Sequence, residues 1–203
     1  MFIADLHIHS HFSRATSRLL VPEMLSLWGQ RKGLNVIGTG DFTHPGWRAE
    51  LLEKLVPAED GLFTLRPEYR PDSSFSVPNA AELRFLLSCE ISSIYKKNGR
   101  VRKVHNVLLM PGFAEAEAFS KRLEQIGNLH SDGRPIFRAW IAGIFWKSHW
   151  NAARMSFSFP HTSGRRISPF SAPIPVLIRW RNALKIFPAK STRWKPASPP
   201  TLP

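Results

Sequence analysis

Short apolar runs and amphipathic stretches alternate over the first part of the chain, a pattern typical of an α/β domain. Apolar side chains recur at every second position from Phe2 to Ile8, which predicts a strand with Asp5, His7 and His9 on its other face. Pro22 is suited to the first turn of a helix, with Leu25 and Trp28 on one face. The predicted order is a strand at 2–8, a helix at 22–30, a strand at 34–39 and a helix at 45–55.

The next part of the chain predicts a loop, a hairpin and a third helix. Residues 57–82 hold four prolines and read as loop, whereas 83–91 is a strongly apolar strand. Asn98 and Gly99 separate two strand-like segments, 91–97 and 100–110, as in a tight β-hairpin. Residues 113–126 form an amphipathic pattern whose apolar positions are Phe113, Ala116, Phe119, Leu123 and Ile126.

Composition changes abruptly after Asp132. Residues 1–132 hold all 15 acidic side chains against 16 Lys and Arg, whereas residues 133–203 hold none against 12 Lys and Arg. The net charge of +13 therefore belongs almost wholly to the second part, which also carries five of the seven Trp and ten of the 17 Pro. We predict a folded unit over 1–136 and a basic, acid-free, largely irregular tail over 137–203.

Two classes of protein are excluded by simple counts. A single cysteine, Cys89, rules out an internal disulfide framework and a cysteine-built zinc site. No apolar run reaches the roughly 18 residues of a membrane span, and Asp5 interrupts the one stretch that resembles a signal peptide. We expect a soluble, cytoplasmic chain without a membrane partner.

Three histidines alternate at the end of the first predicted strand. His7, His9 and His11 project to one side while the strand continues, and imidazoles two residues apart can share a metal ion. The alternative is a polar strand face with histidines in contact with solvent.

Further metal-binding side chains follow or interrupt the later strands. Asp41 and His44 follow the second strand, and Glu90 and His105 lie within apolar segments. A carboxylate inside an apolar strand needs a partner. The partner of Glu90 is either a metal cation or, if Glu90 has a purely structural role, Arg102 or Lys103 across the hairpin. In a barrel of parallel strands such residues meet at the carboxyl ends.

Four ordered motifs resemble the PHP (polymerase and histidinol phosphatase) superfamily, and within it the group related to endonuclease Q. They are DLHIHSHFS at 5–13, GTGDFTHPGW at 38–47, LSCEISSIY at 87–95 and KVHNVLLMPG at 103–112. The resemblance covers residues 1–136 and implies an incomplete, distorted (β/α)7 barrel comprising the first four or so strands. It also implies metal-dependent phosphodiester hydrolysis with two to three zinc or manganese ions, and nicking of DNA on the 5′ side of deaminated or missing bases.

The resemblance assigns roles to single residues. It makes His7 and His9 ligands of one ion, Glu90 a bridge between two ions, and His105 a ligand of the second. Asp41 is the expected ligand of its motif, followed by His44. The family motif does not need His11, and Ser10 and Ser13 are expected to form turns or support the ligands.

Cations on the predicted hairpin have two interpretations. Lys96, Lys97, Arg100 and Arg102, with Lys103 beside them, could bind a DNA backbone near the metal ions. The alternative, which the sequence favours, is an ordinary solvated hairpin.

After residue 136 the chain departs from the family, in which a GLDSRDLLEI-like helix, a PAHIWTP-like strand and a DxH pair follow. None of these occurs here. Codons for the segments at 137–151, 156–171 and 190–203 can be chosen so that one shifted frame reads GLDSRDLLEITLE, FLIPAHIWTPHFSVF and EIYAVETGLSSDPP. We infer a frameshift near 136–138, which discards His149 and His161 as ligands and leaves the edge of the strand at 103–110 uncovered.

Two classes of function follow from the sequence. The first is a metal-dependent DNA repair endonuclease, of which this chain is a truncated, inactive form. The alternative is a non-catalytic protein that binds nucleic acid through its basic aromatic tail.

Overall fold

The computed structural model describes residues 3–72, 82–137 and 157–161. Within them the chain is a mixed α/β fold in which helices pack on an open sheet. The helices are α1 (Pro22–Arg31), α2 (Pro45–Lys54) and α3 (Phe113–Glu124). The strands are β1 (Ala4–Asp5), β2 (Val36–Gly38), β3 (Leu55–Pro57), β4 (Phe63–Leu65), β5 (Arg84–Lys97), β6 (Arg100–Met110), β7 (Ile136–Phe137) and β8 (Phe157–His161).

A parallel core of three strands positions the candidate site. β1 pairs with β2 and β2 pairs with β5, all parallel, in register Ala4↔Val36 and Ile37↔Phe85. The segments that leave the carboxyl ends of β1 and β2 therefore reach the same edge of the sheet, alongside the middle of β5. The strands of the described ranges form an open sheet, and the incomplete, distorted barrel that the family resemblance implies stays a prediction.

The predicted hairpin is confirmed as a long β5–β6 ribbon. Its register runs without a bulge from Leu87↔Met110 to Lys97↔Arg100. The turn residues Asn98 and Gly99 have φ angles of 53° and 71°. Positive φ at both central positions is the geometry of the tight turn that matches the twist of its strands, and Asn-Gly adopts it readily.

A second hairpin appears where the sequence predicts only loop. β3 and β4 pair antiparallel between residues 55 and 65, and Phe63 of β4 pairs with Phe85 of β5. The prolines of 57–82 predict loop, but Pro57 is the last residue of a three-residue edge strand. At that position the missing backbone N–H costs no hydrogen bond of the sheet. β1 is also shorter than predicted, with two residues, and His7 and His9 lie beyond its end.

The core lies between the sheet and the helices. Phe85 and Leu87 of β5 are fully buried with Trp47 and Leu51 of α2, and Phe119 of α3 joins the same cluster. The bounds of the three helices match their predicted positions within two residues.

Two positions on the predicted apolar faces of the helices are exposed rather than buried. Trp28 is 51% exposed although Leu25 is buried, and Ile126 is 47% exposed beyond the end of α3. Each position has helical spacing, but α1 turns its Trp28 edge outward, where Arg31 stacks on the indole ring at 5.1 Å.

One stretch of the tail adds a strand. Phe157–His161 of β8 pairs antiparallel with β6 over residues 105–109, with His161 level with His105. The expectation of an uncovered β6 edge is therefore wrong over 105–109, and β8 is a short regular segment within a tail predicted to be largely irregular. The other tail positions, 138–156 and 162–203, lie outside the described residues. Within the described ranges, no helix is long and apolar enough to cross a membrane.

Candidate metal centre

Three histidines from two segments of the chain converge on one glutamate. The Nε2 atoms of His7 and His9, in the segment after β1, lie 2.7 and 3.1 Å from Oε2 of Glu90 in β5. Nδ1 of His105, on the neighbouring β6, contacts the other oxygen, Oε1. Donor atoms of His7, His9 and Glu90 all lie within 4.8 Å of one another, a spacing at which they could hold one metal ion.

Glu90 is an unusual strand residue because it is ionised and buried. Its side chain is 2% exposed, between the buried Cys89 and Ile91. Burial alone would raise the pKa of Glu90, but hydrogen bonds from His9, His7 and His105 outweigh it and hold the pKa well below its usual range. Glu90 is paired with these imidazoles, so the alternative of a pair with Arg102 or Lys103 is wrong.

Solvent reaches the cluster of His7, His9, His105 and Glu90 from the side of His7. The His7 side chain is 35% exposed, that of His9 23% and that of His105 13%. A ligand that approaches from solvent therefore meets the imidazoles before it meets the carboxylate.

Asp41 lies behind His9, with its oxygens occupied by protein donors. Oδ1 accepts from His9 Nδ1 at 3.0 Å, and Oδ2 accepts from the backbone N–H and hydroxyl of Ser10 at 2.6 and 2.7 Å and from Ser13 Oγ at 2.9 Å. The carboxylate is fully buried. It directs the other nitrogen of His9 toward Glu90, the arrangement by which a carboxylate orients a metal-binding histidine.

Gly133 closes the other side of Asp41. Its backbone N–H donates to the Phe12 carbonyl at 3.1 Å, and a Cβ at this position would lie 2.5 Å from Asp41 Oδ2. Sequence reasoning missed this residue, since a lone glycine after α3 gives no pattern that would reveal it.

The two carboxylates change the titration of His9. Its hydrogen bond to Asp41 and then that to Glu90 raise the pKa of His9 to about 9, against the opposing effect of burial. Both ring nitrogens of His9 therefore carry protons at neutral pH in the metal-free protein, and a metal ion must displace the proton on Nε2.

His44, expected as a ligand, uses both ring nitrogens elsewhere. It is the N-cap of α2, where Nδ1 accepts from the Trp47 backbone N–H at 3.4 Å, and Nε2 donates to the His130 carbonyl at 3.2 Å. Burial lowers its pKa, which keeps the ring neutral as this capping role requires.

We predict that replacing His44 affects stability rather than metal binding. His44→Ala removes the cap and should lower the free energy of unfolding by about 1 kcal/mol, whereas His44→Asn, a good N-cap residue, should lose less. Chemical denaturation measures the stability, and dialysis against zinc measures the stoichiometry. A loss of bound zinc in both variants at unchanged stability would instead make His44 a ligand.

His11 belongs to a different network. Its Nε2 lies 2.8 Å from Glu50 Oε2, and Lys54 Nζ bridges Glu50 and Glu23 at 2.8 and 2.7 Å. This network joins the segment after β1 to both α1 and α2. His11 lies outside the group formed by His7, His9 and Glu90.

The candidate DNA-binding cations lie on the exposed end of the β5–β6 ribbon. Lys96, Arg100 and Arg102 are exposed, and Lys97 pairs with Arg100 in the backbone register. Glu90 and His105 lie farther down the same ribbon, nearer its Leu87↔Met110 end, so these cations extend outward from the group that His7, His9, Glu90 and His105 form.

Comparison with known proteins gives a relative and two structural neighbours. No protein-family model matches the chain. An uncharacterized protein of Methanocaldococcus jannaschii is 30% identical over 132 residues, which are 64% of this chain and 13% of that protein.

Both neighbours are endonucleases. Endonuclease Q, in complex with a 27-mer duplex that carries an abasic lesion at the active site, is 29% identical with a TM-score of 0.57 over 73% of this chain. The lesion-specific endonuclease of Pyrococcus furiosus is 29% identical with a TM-score of 0.56 over 72% of this chain. The chain spans 32% of each of these two structures, so it is similar to a part of endonuclease Q.

Proposed function

We propose that this chain carries the first part of a metal-dependent phosphodiester hydrolase that acts on DNA with deaminated or missing bases. The observation that carries the proposal is the convergence of His7, His9 and His105 on the buried carboxylate of Glu90. Similarity to endonuclease Q, one structure of which holds a duplex with an abasic lesion, supports DNA as the substrate.

The donor set fits zinc or manganese. Imidazole nitrogens and a carboxylate suit both ions, and three imidazoles directed at one carboxylate form a ready set of ligands. We propose His7, His9 and Glu90 as ligands of one ion, and Glu90 with His105 as ligands of a second. Such ions would polarise a phosphoryl oxygen and lower the pKa of a bound water.

The protein side chains have separate roles in this scheme. Glu90 presents one oxygen to His7 and His9 and the other to His105, so it can bridge two positions. Asp41, which the family resemblance assigns as a ligand, holds His9 in orientation together with Ser10 and Ser13. His7 is the most exposed of the three histidines, so its ring would border the path of an entering phosphodiester.

We further propose that residues 1–136 are the remnant of the metallophosphoesterase domain and that residues 137–203 are read out of frame. The length of the match to the archaeal relative, 132 residues, is close to that of the proposed remnant. A remnant of this kind lacks the later metal ligands of the family, so we expect this chain to bind fewer ions and to be inactive or nearly so.

Calorimetric titration with zinc tests the metal site and gives a pH dependence with a defined sign. Because His9 is protonated below pH about 9, zinc binding should release its Nε2 proton and tighten as the pH rises from 7 toward 9. Titrations in two buffers of different ionisation enthalpy count the protons released. Binding that is independent of pH in this range would contradict a role for His9 as ligand.

The alternative function, nucleic-acid binding by the basic tail, predicts a different result. Binding of DNA by the basic tail is electrostatic, so its affinity should fall steeply with added salt and should not change when a chelator is added. DNA binding measured by fluorescence anisotropy, with and without zinc and at several salt concentrations, separates the two. Binding that responds only to salt, in a chain that takes up no zinc, would favour the tail.

A further inference from the structure

The β5–β6 ribbon has two faces, and only one of them carries Glu90 and His105 of the candidate metal centre. Residues directly opposite each other in an antiparallel pair share a face, and faces alternate along each strand. Glu90 is opposite Val107, and Ser92 is opposite His105. The same alternation continues outward to two further pairs, Ile94↔Lys103 and Lys96↔Val101.

These four residues, Ile94, Lys96, Val101 and Lys103, define the site face of the ribbon. Three of them, Lys96, Val101 and Lys103, are exposed. Arg102, opposite Tyr95, and Arg100, opposite position 97, lie on the reverse face. The cations that the sequence groups together are therefore divided between two surfaces.

The spacing of the two lysines fits a nucleic-acid backbone. Lys103 is two residues from His105, about 7 Å along the strand at 3.4 Å per residue. Lys96, opposite Val101, lies about 7 Å farther out. Each interval equals the rise of about two nucleotides of one DNA strand.

The charge of the ribbon also favours a polyanion. No acidic residue occurs between Glu90 and Glu115, whereas five Lys and Arg occur there. Level with Lys96 on the neighbouring strand, the exposed side chain of Val101 offers an apolar surface to a sugar ring.

We propose that the site face binds the backbone of the DNA strand whose phosphodiester lies at His7, His9 and Glu90, with Lys103 on the nearest phosphate. This inference rests on the proposed function and extends it, because it places the DNA strand along the ribbon, from the candidate metal centre outward. Arg100 and Arg102 contribute to long-range attraction without contacting this strand.

Site-directed crosslinking tests the division of faces. Cys89, the chain's one cysteine, is 1% exposed and burial raises its pKa, so a cysteine introduced on the ribbon is the reactive thiol. Lys103→Cys and the matched control Arg102→Cys remove one charge each from adjacent positions. Both are labelled with a benzophenone maleimide and irradiated with an end-labelled duplex that contains one abasic site, in the presence of zinc.

We expect Lys103→Cys to crosslink several-fold more DNA than Arg102→Cys, at nucleotides clustered near the lesion. The basic tail raises both yields alike, so it does not produce a difference. Equal yields from the two positions, or crosslinks spread evenly along the duplex, would overturn the proposal.

Zinc titration of the same variants distinguishes failure of this inference from failure of the proposed function. If zinc binds and the crosslinking yields are equal, the site face is wrong and the metal site stands. If position 103 crosslinks preferentially and no zinc binds, the proposed chemistry is wrong and the DNA-binding face stands.

Discussion

Glu90→Gln should reduce zinc affinity by more than about 100-fold, beyond the 10–100-fold typical of residues that only support a ligand. Glutamine keeps the shape of the side chain but removes the charge that His7, His9 and His105 share. A neutral amide is a poor bridge between two cations, and its NH₂ group would face at least one imidazole nitrogen. Equilibrium dialysis against zinc or manganese measures the effect.

Glu50→Gln is the matched control, because Glu50 also accepts a hydrogen bond from a histidine, His11, at 2.8 Å. It lies outside the group that could hold an ion, so its loss should leave zinc affinity within a few-fold of the original. Similar losses in both variants would show that the effect is a general loosening of the segment after β1. Unchanged binding in Glu90→Gln would remove Glu90 from the site.

Restoring the proposed reading frame after Ile136 should raise the rate at which deaminated duplex DNA is nicked. We expect a rate several orders of magnitude above that of the present 203-residue chain. The proposed mechanism needs two ions held together to stabilise both attacking and leaving oxygens, and His7, His9, Glu90 and His105 supply only part of such a set. Side-by-side assays on uracil-containing duplexes with manganese or zinc measure the difference.

A restored chain that also carries Glu90→Gln is the control for contaminating nuclease, and it should nick at the rate of the chain as it stands. Equal rates for the restored and original chains would show that residues 1–136 suffice. The nucleotide sequence around codon 137 checks the frameshift itself.

The pattern of apolar residues predicts most of the described fold because its strongest signals are local. The β5–β6 hairpin follows from Asn98-Gly99 and two long apolar strands, and Pro22 and Pro45 begin α1 and α2 as predicted. The β3–β4 hairpin was missed because strands of three residues are too short to show alternation. β8 was missed because the tail has no hydrophobic period, and its pairing depends on a distant strand.

The sequence predicts which residues meet at the candidate site, and their roles as metal ligands stay a prediction. His7, His9, Glu90 and His105 meet as their motifs imply. Asp41 and His44 come from an equally clear motif, yet their polar atoms are occupied by Ser10, Ser13, Trp47 and the His130 carbonyl. A sequence cannot distinguish a ligand from its support, since the difference depends on which neighbours fill the remaining hydrogen-bonding positions.

The central claim is that His7, His9 and Glu90 hold a metal ion, and anomalous diffraction from crystals of this chain grown with zinc tests it most directly. We predict an anomalous peak at about 2.0–2.2 Å from the Nε2 atoms of His7 and His9 and from a Glu90 oxygen. A zinc peak only at other positions, with the histidines still bonded to Glu90, would contradict the account.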